Sequence, residues 1–333
     1  MISIFIPTGN RASSLQKVLE SLVAQTYTDF EVLIVDYKSK DNTDKVIDSF
    51  RKKLELQYIE QKDKGLSKAA NLALTQAKGE IFIRTDDDVV MSPGWLQAIH
   101  NSFKDAKVGG VTGPTVIPKE YATNRDLFVF EEKFKKGNLF WKLIGKLYFG
   151  YFMEGTPRRV SHWFRSGAFG IGSNFEEATK EPVHEITNLE ACNFSVRTAL
   201  LRKVGGFDAV YGGVGEYHEA DAAFKIKALG YKLIFNPKAY LNHCPSQDGF
   251  FNDRPESYSR MINFIIFYLR HIKVDSIDKL CRFMSYILFL DAYYVYQFLI
   301  TRQRSQLGAL SATFMGPFVY LRHAKTKFSR TEL

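Results

Sequence analysis

In the first part of the chain, short β-branched runs alternate with segments whose apolar positions recur every three or four residues. Ile2–Ile6, Glu31–Val35, Leu56–Glu60 and Glu80–Thr85 read as strands. Between them, Ser13–Gln25 puts Leu15, Val18, Leu19 and Leu22 on one helical face. Asp41–Phe50 starts a second helix at a cap from Asp41 or Asn42, and Leu66–Ala77 is a third, ended by Gly79. Ser92-Pro93 opens another helix with proline in its first turn. This alternation predicts βαβ units, hence an α/β fold with a mostly parallel central sheet flanked by helices. Ligands of such sheets bind beyond the carboxyl ends of the strands. Thr8, Asp36 and Asp86 each follow a strand end, so they can converge on one crevice.

The pattern then changes twice. Tyr121–Glu190 is less regular and rich in aromatic, glycine and basic residues. After it, Ala191–Val196 reads as a strand, Thr198–Val204 as a helix ended by Gly205-Gly206, and Glu219–Leu229 as a helix ended by Gly230. Lys232–Phe235 and Pro237–His243 are extended. Beyond Arg254 come three apolar stretches, Met261–Leu269, Phe283–Ile300 and Leu307–Leu321, the last interrupted by Gly308 and Gly316-Pro317. The expected organisation is an α/β unit over 1–250, with halves 1–120 and 121–250, followed by a helical, basic extension over 251–333.

Composition narrows the class. With 45% hydrophobic, 24% charged and 14% aromatic residues, the chain is neither disordered nor coiled coil. Three widely spaced cysteines, Cys192, Cys244 and Cys281, exclude a disulfide framework and predict a reducing compartment. The start, Met1–Pro7, lacks a basic n-region and predicts no signal peptide. The net charge is +9, and Arg254–Leu333 carries 12 Lys and Arg against five Asp and Glu, a net +7. Basic charge among apolar, aromatic runs points to an anionic membrane surface. No nucleic-acid signature accompanies it, so no nucleic-acid partner is expected. Phe283–Ile300 contains Asp291, Gln297 and four tyrosines. A mid-membrane Asp costs roughly 2.5–3.5 kcal/mol, which favours helices lying in the interface over a span. A packed helical subdomain or an interface between copies, making a homo-oligomer, is the competing reading.

The sharpest chemical feature is Asp86-Asp87-Asp88 at the end of the buried run Ile81-Phe82-Ile83-Arg84-Thr85. Adjacent carboxylates repel one another unless a cation or donors compensate. Oxygen ligands at alternating positions suit Mg²⁺ or Mn²⁺ bridging a diphosphate. Alternation along an extended segment lets Asp86 and Asp88 share the crevice while Asp87 points away.

The surroundings of this triplet resemble glycosyltransferase family 2, the inverting enzymes of GT-A fold. The matching residues are Pro7-Thr8-Gly9-Asn10-Arg11, Gln25-Thr26-Tyr27, Ile34-Val35-Asp36, Gly65 to Asn71, Gly79-Glu80-Ile81, the triplet itself and Pro93-Gly94-Trp95-Leu96. Gly205-Gly206-Phe207-Asp208, Glu219-Ala220-Asp221, Gly230-Tyr231 and His243 follow in the family's order. The likeness covers about residues 1–245. It implies a nucleotide-sugar donor bound by Pro7, Thr8, Asn10, Arg11, Asp36, Lys68, Asn71, Asp86 and Asp87. It implies Mn²⁺ or Mg²⁺ on Asp86, Asp88 and His243, a strand-end histidine with no ligand role being the alternative for the last. A catalytic base follows, Glu219 with Asp221 as its rival, and Glu216 lies nearby. The acceptor is a hydroxyl of a glycan or lipid-linked saccharide, and the setting the cytoplasmic face of a membrane. The aromatic residues Phe128, Phe130, Phe134, Phe140, Trp141, Tyr148, Phe149, Tyr151, Trp163 and Phe164 could hold that acceptor or fill a core, and Gly167, Gly170 and Gly172 suggest a loop that closes on substrate. Three positions depart from the family: Tyr37 follows Asp36, Ala70 replaces an arginine, and His218 stands where an acidic pair begins. They leave two alternatives, a catalytically inactive sugar-nucleotide-binding scaffold and a nucleotidyltransferase on a related fold.

Overall fold

The structure is a computed structural model that describes residues 1–121, 127–213, 215–245 and 257–328, without the side chains of 127–130 and 324–328. Its strands are β1 (Ile2–Thr8), β2 (Phe30–Asp36), β3 (Leu56–Glu60), β4 (Ile81–Thr85), β5 (Val89–Met91), β6 (Val108–Thr112), β7 (Thr115–Val116), β8 (His184–Glu185), β9 (Asn193–Arg197), β10 (Lys232–Phe235) and β11 (Leu241–His243). The helices are α1 (Ala12–Val23), α2 (Thr43–Phe50), α3 (Leu66–Gln76), α4 (Trp95–Ser102), α5 (Leu127–Lys136), α6 (Leu139–Gly145), α7 (Thr198–Lys203), α8 (His218–Ala228), α9 (Ser257–Phe267), α10 (Ile277–Thr301) and α11 (Gly308–Phe328). The elements read from the sequence are realised with most ends shifted by a residue or two; the run expected over Pro237–His243 is a strand only from Leu241, and β5 to β8 are additions to that reading. The irregular stretch after Tyr121 gains α5, α6 and a π-helical segment, Lys146–Phe152.

The main sheet has the order β3-β2-β1-β4-β9-β6-β10-β8. β1 pairs in parallel with β2 and β4, and β2 with β3, while β9 runs antiparallel between β4 and β6. Its inner strands β1, β2, β4, β6 and β9 are buried on both faces, as continuous apolar runs such as Ile2–Ile6 and Val32–Val35 require, while the edge strands β3 and β8 are partly exposed. One core packs α1, α2 and α4 on one face, and a second packs α3, α7 and α8 on the other. The register Thr8↔Asp36 sets two strand ends side by side. A small sheet, β5-β11-β7, closes the edge of the crevice.

A third core joins the middle of the chain to its C-terminal helices. Phe152, Phe164, Ala168 and Ile171 pack with Phe264, Ile265 and Phe267 of α9 and with Phe283, Tyr286 and Ile287 of α10. The α/β unit and the C-terminal helices therefore share this core. Five of the ten middle aromatics serve it: Phe164 is buried within it, and Tyr148, Phe149, Tyr151 and Trp163 pack against it, Tyr148 lying against Phe289 of α10; Phe134 is buried beside Tyr148 and Phe149. Phe140 is exposed, and Phe128 and Phe130 lie outside the described side chains.

Of the residues that interrupt the third apolar stretch, Gly308 separates a short 3-10 turn, Arg304–Leu307, from the start of α11, whereas Gly316 and Pro317 do not end a helix: α11 runs through both. A Cβ on Gly316 would stand 2.7 Å from Ile265, so glycine there lets α11 approach α9 closely. Gly170 and Gly172 have a similar role: a Cβ on either would meet the carbonyl of Arg159 or Arg158 at 2.1 or 1.9 Å. Both are close-packing positions.

Candidate active site

Four strand ends and one helix start build the site. β4 ends at Thr85, the triplet turns, and β5 begins at Val89. β11 pairs antiparallel with β5, with His243 opposite Val89, which brings the imidazole beside the triplet. Its Nε2 lies 3.4 Å from Asp88 Oδ1, and the Cys244 N–H donates to the Asp88 carbonyl at 2.8 Å. One ligand atom from each of Asp86, Asp88 and His243 falls within 4.8 Å of the others. Two carboxylates and an imidazole at that spacing form a donor set that Mn²⁺ or Mg²⁺ could accept, with no thiolate to favour a softer ion.

The third carboxylate has a different environment. Asp87 is buried, accepts from Thr8 Oγ1 at 2.8 Å and pairs with Arg11 Nη1, also at 2.8 Å. Burial pushes its carboxyl up to about 7, against the pull of Arg11. The same Arg11 nitrogen lies 3.1 Å from Asp88. Thr8 and Arg11 thus hold the triplet from behind, and Pro7 sits half-buried beside them on β1.

Asp36, buried at the end of β2, accepts from Ser39 Oγ at 2.6 Å and Tyr58 OH at 2.9 Å. Burial and that carboxylate push the Tyr58 phenol up to about 12. Asn10, with φ 56°, folds the loop after β1 onto the same corner: its N–H donates to Ser39 Oγ, and its Oδ1 accepts from Lys40 N–H at 2.6 Å. Lys68 is exposed at the start of α3, 3.8 Å from Asp63. Asn71, one turn on, clamps the Gly-Gly-Phe-Asp turn, donating to the Phe207 carbonyl at 2.7 Å and accepting from its N–H at 2.9 Å. Its Oδ1 and one N–H are thus committed to backbone.

Glu219 and Asp221 occupy the first turn of α8, but their surroundings differ. Arg84, buried within β4, reaches Asp86 Oδ1 through Nη2 at 2.7 Å and Glu219 Oε1 through Nε at 3.2 Å. One guanidinium thereby ties the helix start to the triplet. His218 Nδ1 lies 3.3 Å from Glu219 Oε2 and contacts the Gly215 carbonyl, and burial lowers the imidazole's pKa. Tyr217, just before, takes φ 75°, a strained conformation for an aromatic residue at the helix start.

Asp221 is enclosed by cations instead. Lys225 Nζ lies 2.5 Å, Arg270 Nη1 2.6 Å and His271 Nε2 2.8 Å from its oxygens. Burial alone would raise its pKa, but the His271 hydrogen bond and the charges of Lys225 and Arg270 hold the carboxyl well below the usual carboxylate range. A carboxylate so compensated is poorly suited to accept a proton. Glu216 is likewise engaged, with Arg260 of α9 at 2.8 Å.

Arg84 and Tyr58 escaped the sequence reading. Arg84 is a lone charge in an apolar strand, two residues before Asp86 and hence on the same side. That placement was the available signal.

Residues 3–162 match the family model described as Glycosyl transferase family 2. The glucosyl-dolichyl phosphate glucuronosyltransferase of Haloferax volcanii is 24% identical over 239 residues, 70% of this chain; the match spans 65% of that enzyme, just under two thirds of its length. Among solved structures, Staphylococcus aureus TarS 1-349 in complex with UDP-GlcNAc superposes with TM-score 0.58 and 18% identity, over 95% of this chain and 81% of that one. The mannosyltransferase PcManGT of Pyrobaculum calidifontis, in complex with GDP-Man and Mn²⁺, gives TM-score 0.55 and 18% identity over 95% and 86%. These likenesses identify the GT-A type of α/β fold, followed here by a C-terminal helical region.

Proposed function

The chain belongs to glycosyltransferase family 2, and from that premise we propose that it moves a sugar from a nucleoside-diphosphate donor to a hydroxyl with inversion, depending on Mn²⁺ or Mg²⁺. The observation that carries this reading is the Arg84 bridge, which couples the donor-side carboxylate Asp86 to the base candidate Glu219. Inversion needs one base on the acceptor side and charge compensation on the leaving-group side. Glu219 takes the proton from the acceptor hydroxyl. Arg84 holds that carboxylate in place, and the second contact of Arg84 fixes its distance from Asp86. Asp86, Asp88 and His243 would hold the divalent ion, which when bound neutralises the departing diphosphate. The corner formed by Asp36, Asn10 and Ser39 receives the base and ribose, with Pro7 and Lys68 at its rim. Thr8, Arg11 and Asp87 act from behind, keeping the triplet compact.

The acceptor in this reading is a glycan or a lipid-linked saccharide at the cytoplasmic face of a membrane. The Haloferax volcanii relative, whose name specifies a glucosyl-dolichyl phosphate, and the basic, apolar C-terminal region support it. The test is a transfer assay with purified enzyme, candidate donors and lipid-linked acceptors. Metal-dependent turnover that Glu219→Gln abolishes is expected. Donor binding without turnover for any acceptor would favour the scaffold reading that His218, Tyr37 and Ala70 raise.

A further inference from the structure

We propose that α6, α10 and α11 form a docking face for an anionic lipid bilayer, with lipid phosphate held at Lys142 and Lys146. The proposal rests on the membrane-side acceptor described above and names the surface that would meet the membrane.

Three helices leave apolar stripes uncovered. On α10, every exposed position from Met284 to Ile300 is apolar or tyrosine: Met284, Leu288, Ala292, Tyr296, Leu299 and Ile300. The spacing follows one helical face. On α11, Phe314, Phe318 and Leu321 are 75%, 67% and 54% exposed. On α6, Leu139, Phe140 and Leu143 are 73%, 61% and 59% exposed. The helices adjoin one another. Trp141 of α6 meets Tyr296 of α10 with ring centroids 6.4 Å apart, and Thr313 of α11 donates to Asp291 of α10 at 3.0 Å. A soluble surface rarely leaves so much contiguous apolar area open without a partner.

Charge identifies the partner. Lys142 and Lys146 alternate with the apolar residues of α6 and its continuation, are exposed, and make no ion pair among the described residues. With Lys135, Phe134 and Phe149 they line a cleft of about 440 Å³ beside the α6 stripe. Its one acid, Glu131, is neutralised by Lys135 and Arg158 at 2.7 and 2.9 Å. Arg302, Arg304 and Arg322 flank the other two stripes. A second copy of the chain would set these like charges against one another, whereas lipid phosphates answer them and acyl chains cover the stripes. α10 is long and apolar enough to cross a membrane. However, Phe283, Tyr286 and Ile287 on its inner face are part of the third core, which leaves only the outer stripe for lipid.

The test is co-sedimentation of the full chain with phosphatidylglycerol-containing vesicles and with purely phosphatidylcholine vesicles. Alongside the wild type, Lys142→Glu/Lys146→Glu and Leu288→Glu/Phe318→Glu are compared, with thermal unfolding confirming that each folds. Wild type should pellet with anionic vesicles, and the lysine double variant should partition at least roughly 30-fold less. The apolar double variant should stay in the supernatant. Wild type remaining in solution with both vesicle types, or both variants binding like wild type, overturns the proposal. So does sedimentation velocity showing a wild-type dimer that Leu288→Glu/Phe318→Glu dissociates, because the face then joins two copies. Nucleotide binding to the same samples without vesicles is read separately, so a failed docking face and a failed donor site give different results.

Discussion

Arg84 Nε lies 3.2 Å from Glu219 Oε1, although the two residues belong to different elements, a central strand and the start of α8. The same buried guanidinium holds Asp86 at 2.7 Å. Arg84→Met therefore strands two carboxylates together. Breaking a buried pair costs about 3–5 kcal/mol, so a marked fall in melting temperature is expected, with turnover lost by roughly 10²-fold or more. Arg84→Lys, which keeps the charge but cannot bridge both acids, should recover stability more than turnover. Equal activity in wild type and Arg84→Met would remove the bridge from the mechanism.

Glu219 and Asp221 should separate cleanly. Glu219→Gln is expected to keep donor binding and reduce kcat on the order of 10²–10⁴-fold, the usual contribution of a positioned base. Asp221→Asn is expected to lower stability first, because it removes one of the two buried carboxylates that Lys225 and Arg270 share, leaving Asp208 to answer both cations. Measuring nucleotide affinity, kcat and melting temperature on both variants decides between them; a stable Asp221→Asn with abolished kcat would reverse the assignment.

Arg270, just beyond α9, couples the C-terminal region to α8 through Asp221, at 2.6 Å, and also holds Asp208, at 3.0 Å. Arg270→Met should destabilise the chain by about 3–5 kcal/mol. The double variant Arg270→Met/Asp221→Asn should be less destabilised than the sum of the single variants, because neither charge is then left alone. Strict additivity in chemical unfolding would show that the contact carries no coupling.

Asp291 offers a pH signature. Burial raises its pKa, with Thr313 pulling the other way. A carboxyl whose folded pKa is raised binds its proton more tightly when folded, so stability falls as pH rises from the unfolded pKa through the folded one. Asp291→Asn should therefore raise the melting temperature at pH 7–8, with the gain shrinking toward pH 3, where both states are protonated. An unchanged difference across that range would refute the linkage.

Much of the α/β half was legible because its signals are local. Alternation between β-branched runs and three-to-four periodicity gave β1 to β4 and α1 to α3, and Asp86, Asp88 and Glu219 stood in recognisable motifs. What stayed hidden depends on pairing between distant segments. His243 gains its place only through the register of β11 against β5. Arg84 looks like a flaw in an apolar strand until α8 delivers Glu219 to it. Asp221 resembles Glu219 in sequence, yet Arg270 and His271 arrive from fifty residues away to neutralise it. Gly316 of α11 reads as a break because its cause, the close approach of Ile265, lies on another helix.

The most direct test of the central claim is calorimetric titration of UDP, GDP, dTDP and CDP with and without Mn²⁺, on wild type, Asp88→Ala and Glu219→Gln. A metal-dependent donor site predicts that one nucleotide binds wild type and Glu219→Gln tightly only with Mn²⁺, and that Asp88→Ala loses this enhancement. Binding of equal strength with and without the metal, or unchanged in Asp88→Ala, would contradict it.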